Sequence, residues 1–132
     1  MVRTYLGGRV VASRQYALLA LGDLVALLVF ATVGEYRHGG TTFAVFRTAV
    51  QFGIGWVVFA TLVGAYGPRA LDGRRRAALL GAVGWAGGAV IGAFVRLGTE
   101  AGAGIVPVFV LVTAGVGAVI FALWRGVAAG WL

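Results

Sequence analysis

Four long apolar runs, each bracketed by charged residues, constrain this chain more than any other feature. They cover about 16–34 between Arg14 and Glu35, 48–68 between Arg47 and Arg69, 77–95 between Arg76 and Arg96, and 101–124 between Glu100 and Arg125. At 1.5 Å per helical residue each reaches about 28–36 Å, enough to cross a hydrocarbon core of about 30 Å. A hydrophobic fraction of 61% and a mean hydropathy of +0.97 lie far outside the soluble range, so these runs read as membrane spans. The expected architecture is all-α: one integral membrane domain over residues 1–132, built as a four-transmembrane-helix bundle. Pro68 is expected to end the second span and Pro107 to kink the fourth.

The charges fit that reading. All eleven cationic residues are arginine, against four acids. They flank apolar segments rather than forming one stripe, which argues for topology signals and against nucleic acid. Three arginines precede the first span (Arg3, Arg9, Arg14), four lie in the 69–76 loop, and Arg125 follows the fourth span. That places eight on one side against three on the other (Arg37, Arg47, Arg96), which predicts a multi-pass protein of the cell membrane with both termini in the cytoplasm. The first span is too long, and too polar at its centre, for a signal peptide, so it is expected to be retained.

Composition also excludes chemistry. Without lysine there is no Schiff base to retinal or pyridoxal phosphate, and without cysteine no disulfide, thiolate metal site or thiol nucleophile. A single histidine does not build a bis-histidine haem site. No cofactor, metal or enzymatic activity is expected.

Lipid supplies no hydrophobic drive for helix association, so small residues must let backbones approach. Gly84, Gly88 and Gly92 recur at every fourth position of the third span. Ala114, Ala118, Ala122 and Gly126 do so in the fourth, and Ala60 and Gly64 lie in the second. These faces are read as helix–helix contacts, within one bundle or between copies. Because four short helices enclose little interior, a homo-oligomer in membrane lipid is expected.

Asp23 is the one formally charged residue inside the first span. A carboxylate at that depth costs about 2.5–3.5 kcal/mol on insertion scales and normally faces a partner or a wet cavity. Counting from the flanking arginines, Asp23 is nine residues from Arg14, Thr61 eight from Arg69, and Trp85 nine from Arg76. Thr113, twelve residues from Arg125, lies somewhat nearer the opposite surface. Asp23, Thr61, Trp85 and Thr113 are therefore expected to form an intramembrane polar layer, with a hydroxyl and an indole N–H donating to the carboxyl. No arginine or histidine is expected at that level, which favours a neutral carboxyl unless a second copy supplies a partner. Two readings follow: a proton or cation coupling site, or a hydrogen bond that fastens helices together.

A second polar group, Glu35, Arg37, His38, Arg47, Gln51 and Arg96, falls at the opposite ends of the first three spans. Glu35 is expected to pair with Arg96, and His38 is of the residue type suited to a proton switch near neutral pH. This outer cluster reads either as a small mouth or as a solvated loop with interfacial ion pairs.

The runs GDLVALLVFATVGEYRHGG, QFGIGWVVFATLVGAYG and IGAFVRLG resemble a family of small four-span membrane proteins, the domain-of-unknown-function family 3054. The resemblance covers essentially the whole chain and rests on Asp23, Gly34, His38-Gly39, Phe52, Gly55-Trp56 and Arg96. Gln51 stands where such proteins often have proline, which puts a helix break there in doubt. The resemblance implies a membrane bundle and assigns no activity. GGAVIGAFVR also resembles the glycine-arginine opening of small dimeric fluoride channels, but the order of the motifs is reversed here.

The functional expectation is a small transporter or channel for ions or small solutes, acting as a homo-oligomer with Asp23 in its pathway. The alternative is a non-transporting accessory or assembly subunit that binds another membrane protein through its small-residue faces.

Overall fold

The computed structural model of the chain describes residues 4–6, 10–37 and 39–132. Arg3, Arg9 and His38, all used in the sequence reading, lie outside them. A short antiparallel ribbon, β1 (Thr4–Leu6) and β2 (Val10–Ala12), precedes four helices: α1 (Arg14–Arg37), α2 (Thr42–Val63), α3 (Arg74–Thr99) and α4 (Pro107–Trp131). All four helices are long and apolar enough to cross a membrane. The all-α bundle expected from the apolar runs is therefore present.

The helix ends follow local chemistry. Ser13 caps α1, its hydroxyl accepting from the Tyr16 N–H at 3.2 Å. Thr41 caps α2 by accepting from the Ala44 N–H. Helix α2 stops earlier than Pro68, because Gly64 takes a left-handed conformation (φ 86°) after Val63 and donates its N–H to the last turn. It runs unbroken through Gln51. Pro107 does not kink α4. It is the first helical residue, where its missing N–H leaves no bond unmade. The fourth helix thus begins six residues later than expected and continues to Trp131, which carries Arg125 inside the helix.

Helix α3 packs against α2 on one side and α4 on the other, and α1 completes the ring with the thinnest packing. The α2–α3 crossing depends on paired glycines. A Cβ on Gly55 would fall 2.0 Å from the Gly88 carbonyl oxygen, so the two backbones touch. Gly84 and Gly92 of α3 flank that point against Trp56 and Phe52, as the small-residue spacing predicted for this helix.

On α4 the deep face is Thr113, Gly117, Phe121 and Arg125, one residue round from the alanine stripe; Ala114 and Ala118 are partly buried beside it. Aromatic rings fill the centre. Trp85 stacks on Phe121 (5.0 Å, 11°), Trp56 lies 4.3 Å from Phe121, and Phe30 meets Trp85 edge-on at 4.8 Å.

At the end carrying both termini, the start of α1 is tied to the rest of the molecule. The Tyr16 hydroxyl donates to the Gly67 carbonyl at 2.6 Å, and the Val11 N–H to the Tyr66 carbonyl at 2.8 Å. The Gln15 amide donates to the Leu132 carbonyl at 2.6 Å. These bonds set the loop between α2 and α3, which holds Tyr66, directly beneath α1.

Candidate functional site

Asp23 points inward from α1 and is 2% exposed. Its partner is Arg125 of α4, which is fully buried at 0%. The contact is bidentate: Arg125 Nε donates to Asp23 Oδ1 at 3.0 Å and Nη2 to Oδ2 at 2.6 Å. This fork-to-carboxylate geometry is the strong form of a charge-assisted hydrogen bond. The third guanidinium nitrogen, Nη1, donates to the Ala65 carbonyl at 2.7 Å, just past the end of α2. A cation there also meets the negative end of that helix dipole. The guanidinium lies over two rings, 5.2 Å from Trp56 and 4.9 Å from Tyr66.

Two more donors complete the carboxylate. Trp124 Nε1 donates to Oδ1 at 3.1 Å, and the Tyr66 hydroxyl to Oδ2 at 2.5 Å. Each carboxylate oxygen therefore receives two bonds. Tyr66 in turn accepts from Trp56 Nε1 at 2.9 Å. Gly22 makes room for the tryptophan: a Cβ there would collide with the Trp124 ring at 1.8 Å. Tyr66 lies in the loop after α2, and burial, reinforced by the Asp23 carboxylate, pushes its phenol well above its usual range. The phenol thus stays protonated and serves as a donor.

This arrangement corrects the expected polar layer. Asp23 does have a cationic partner, supplied by its own chain. Trp85 Nε1 donates instead to the Thr113 carbonyl at 2.9 Å, deep between α3 and α4. That bond brings Trp85 and Thr113 together but leaves both apart from Asp23. Thr61 is half-buried and lines a recess with Gly64, Pro68 and Arg69, away from the carboxylate.

The outer cluster is also rearranged. Glu35 accepts a short hydrogen bond from the Thr48 hydroxyl, while Arg96 binds Glu100 at 2.5 Å, four residues on and just past the end of α3. Arg47 reaches the other Glu100 oxygen at 2.6 Å. Glu100, which the sequence reading used as a span boundary, is thus the acid that joins α2 to the end of α3. Gln51 is buried nearby, with its amide 3.4 Å from Thr99 Oγ1.

Arg125, Tyr66 and Trp124 were not among the site residues expected from the sequence. A signal for Arg125 was present: the spacing Thr113, Gly117, Phe121, Arg125 stays on one helical face, and the apolar run resumes after Arg125.

A cleft of about 750 Å³ opens between α1 and α2. Its walls are apolar, including Leu24, Leu27, Val50, Ile54 and Val57, and Asp23, Trp56 and Tyr66 also line it. Of the network, Asp23, Trp56 and Tyr66 line this cleft and Arg125 does not. Among the described residues, no group of three or more histidine, cysteine or acidic side chains is placed to hold a metal.

A family model described as protein of unknown function, DUF3054, matches residues 20–128. The chain belongs to the DUF3054 family. The matched stretch contains every member of the Asp23 network, from α1 through to Arg125 in α4. No curated protein and no solved structure matches the chain.

Proposed function

We propose that the protein is a small-solute transporter of the cell membrane that takes lipophilic organic cations from the bilayer through the cleft between α1 and α2. The observation that carries this reading is the Asp23–Arg125 pair set beside that cleft, with only the acidic member lining it. A carboxylate flanked by Tyr66 and Trp56 is a cation-recognition arrangement. An entering cation competes with Arg125 for Asp23, so binding and release of the pair are coupled.

Stability alone is a weak reason to keep such a pair, since an apolar replacement of similar volume is often as stable. Intramembrane charges usually mark a functional position. The aromatic filling of the single-chain interior favours a homo-oligomer, in which a path runs along helix faces rather than through one bundle. We place both termini in the cytoplasm. Arg125 is withdrawn from the flanking charge by its ion pair, yet the remaining arginines still favour that side by seven to three.

The test is binding and liposome uptake of tetraphenylphosphonium by the wild type and by Asp23→Asn. Saturable binding and uptake, both lost in the variant, are expected. A wild type that neither binds nor moves the probe would sink the proposal.

The second reading is a non-transporting assembly subunit. It is supported by the completeness of the Asp23 network, which suits a static fastening. Purification in mild detergent separates the two: a stoichiometric foreign membrane partner supports the subunit reading, and a lone homo-oligomer counts against it.

A further inference from the structure

Among the described residues, only two buried side-chain polar atoms have no hydrogen-bond partner, Arg47 Nε and Gln51 Oε1. Both belong to residues that line the same recess of about 360 Å³ between α2 and α3, at the end of the bundle away from the termini. An orphaned donor and an orphaned acceptor in one recess are costly unless something occupies it.

The orientation of the Gln51 amide follows from its neighbour. The Thr99 hydroxyl spends its one proton on the Val95 carbonyl at 2.7 Å, so it accepts from Gln51 Nε2 and leaves Oε1 free. Gln51 is 4% exposed, so in this side-chain conformation nothing satisfies that oxygen.

The charge of the recess is also unbalanced. Arg47 and Arg96 share the single carboxylate of Glu100, so this ion-paired group carries one positive charge in excess. Beyond the polar end, Phe46, Val50 and Ile54 continue as an exposed apolar strip along α2. A polar end carrying one excess positive charge, followed by an apolar strip in a membrane helix, has the form of a phospholipid.

We infer that this recess binds an anionic phospholipid with a hydroxylated headgroup, of the phosphatidylglycerol type, in the leaflet at the end away from the termini. The phosphate accepts from the Arg47 guanidinium, whose side chain is 40% exposed, a headgroup hydroxyl donates to Gln51 Oε1 once that side chain rotates into the recess, and one acyl chain lies along Phe46, Val50 and Ile54. The inference does not rest on the transport reading, because Asp23 takes no part, although Phe46, Val50 and Ile54 lie on the α2 face that also borders the α1–α2 cleft.

The test is native mass spectrometry of the full chain released from nanodiscs of phosphatidylcholine with added phosphatidylglycerol. Retention of phosphatidylglycerol in preference to phosphatidylcholine is expected. Gln51→Leu and Arg47→Gln should each weaken that preference about tenfold, the size of one charge-assisted or buried hydrogen bond. Circular dichroism of both variants in phosphatidylcholine alone should match the wild type, which separates loss of the lipid from loss of the fold. Equal retention of the two lipids overturns the inference, as does unchanged preference in folded variants. Competition by soluble glycerol phosphate as effective as that by the lipid also overturns it, since the apolar strip would then contribute nothing.

Discussion

Asp23 of α1 and Arg125 of α4, 102 residues apart in the chain, form a bidentate ion pair in which every polar atom is hydrogen-bonded. It joins the most loosely packed helix to the most firmly seated face of the last one. Each carboxylate oxygen has two donors, and each of the three guanidinium nitrogens has an acceptor. The pair brings two opposite charges into the bilayer as one neutral unit, which offsets much of the cost of burying either alone.

Breaking that unit from one side leaves an uncompensated buried charge. Asp23→Leu and Arg125→Leu are each expected to lower stability by about 3–5 kcal/mol. The double replacement should recover most of the loss. Thermal unfolding of the three variants in detergent checks this. A double variant as unstable as the sum of the singles would show that the pair is not an energetic unit. If the transport reading holds, the recovered double variant folds but binds no cation.

Tyr66 links the pair to Trp56, so Tyr66→Phe leaves the indole N–H and Asp23 Oδ2 each one partner short. A loss of about 1–3 kcal/mol is expected. The same residue sets a pH dependence. Burial and Asp23 raise its folded value above the ordinary phenol value of about 10. A group raised in the folded state contributes fully below its unfolded value, and the contribution is lost as pH climbs past it. Stability should therefore decline above about pH 10 in the wild type and decline less steeply in Tyr66→Phe. Parallel pH profiles would exclude Tyr66 as the source.

The glycine contact between α2 and α3 gives a steric prediction with an internal control. Gly55→Ala places a methyl group 2.0 Å from the Gly88 carbonyl oxygen, and backbone on both sides prevents relief. A cost of about 1–3 kcal/mol or more is expected. In α1 a Cβ on Gly34 would meet nothing within 4 Å, so Gly34→Ala should be neutral or stabilise by up to about 1 kcal/mol from helix propensity. Melting temperatures of the two variants should move in opposite directions, or only the first should fall.

The absence of cysteine makes the proposed orientation directly readable. Thr42→Cys at the start of α2 and Asp72→Cys in the loop before α3 lie at opposite ends of the bundle. In intact cells a membrane-impermeant maleimide should label the first, and the second only after permeabilisation. The reverse pattern would overturn the assignment of both termini to the cytoplasm.

Much of the bundle was legible in the chain because spans are written in contiguous residues. Apolar length between charges located four helices, and the four-residue recurrence of Gly84, Gly88 and Gly92 marked the α3 face that meets α2. Helix ends were less legible. Gly64 terminates α2 before Pro68 can, and Pro107 starts α4 where the hydropathy pattern had placed a kink. Both are local backbone effects that an apolar count does not register.

The site was half visible. Asp23 stood out as a lone charge in an apolar run, and its inward orientation followed from the cost of exposing a carboxylate to lipid. Its partner did not follow. Depth counted along straight helices selected Thr61 and Trp85, residues at similar distances from their flanking arginines. Arg125 looked like one more flank.

The sequence by itself determined that this is a four-span membrane protein, which residues let its helices approach, and that Asp23 required a partner. Those properties depend on composition and periodicity within single segments. Only the tertiary structure decided that the partner is Arg125, that Tyr66 and Trp124 complete it, and that Trp85 serves Thr113 instead. Pairing across the bundle depends on where each helix starts and how far it is rotated. A one-residue turn of α4, about 100°, separates its alanine stripe from the face that carries the arginine.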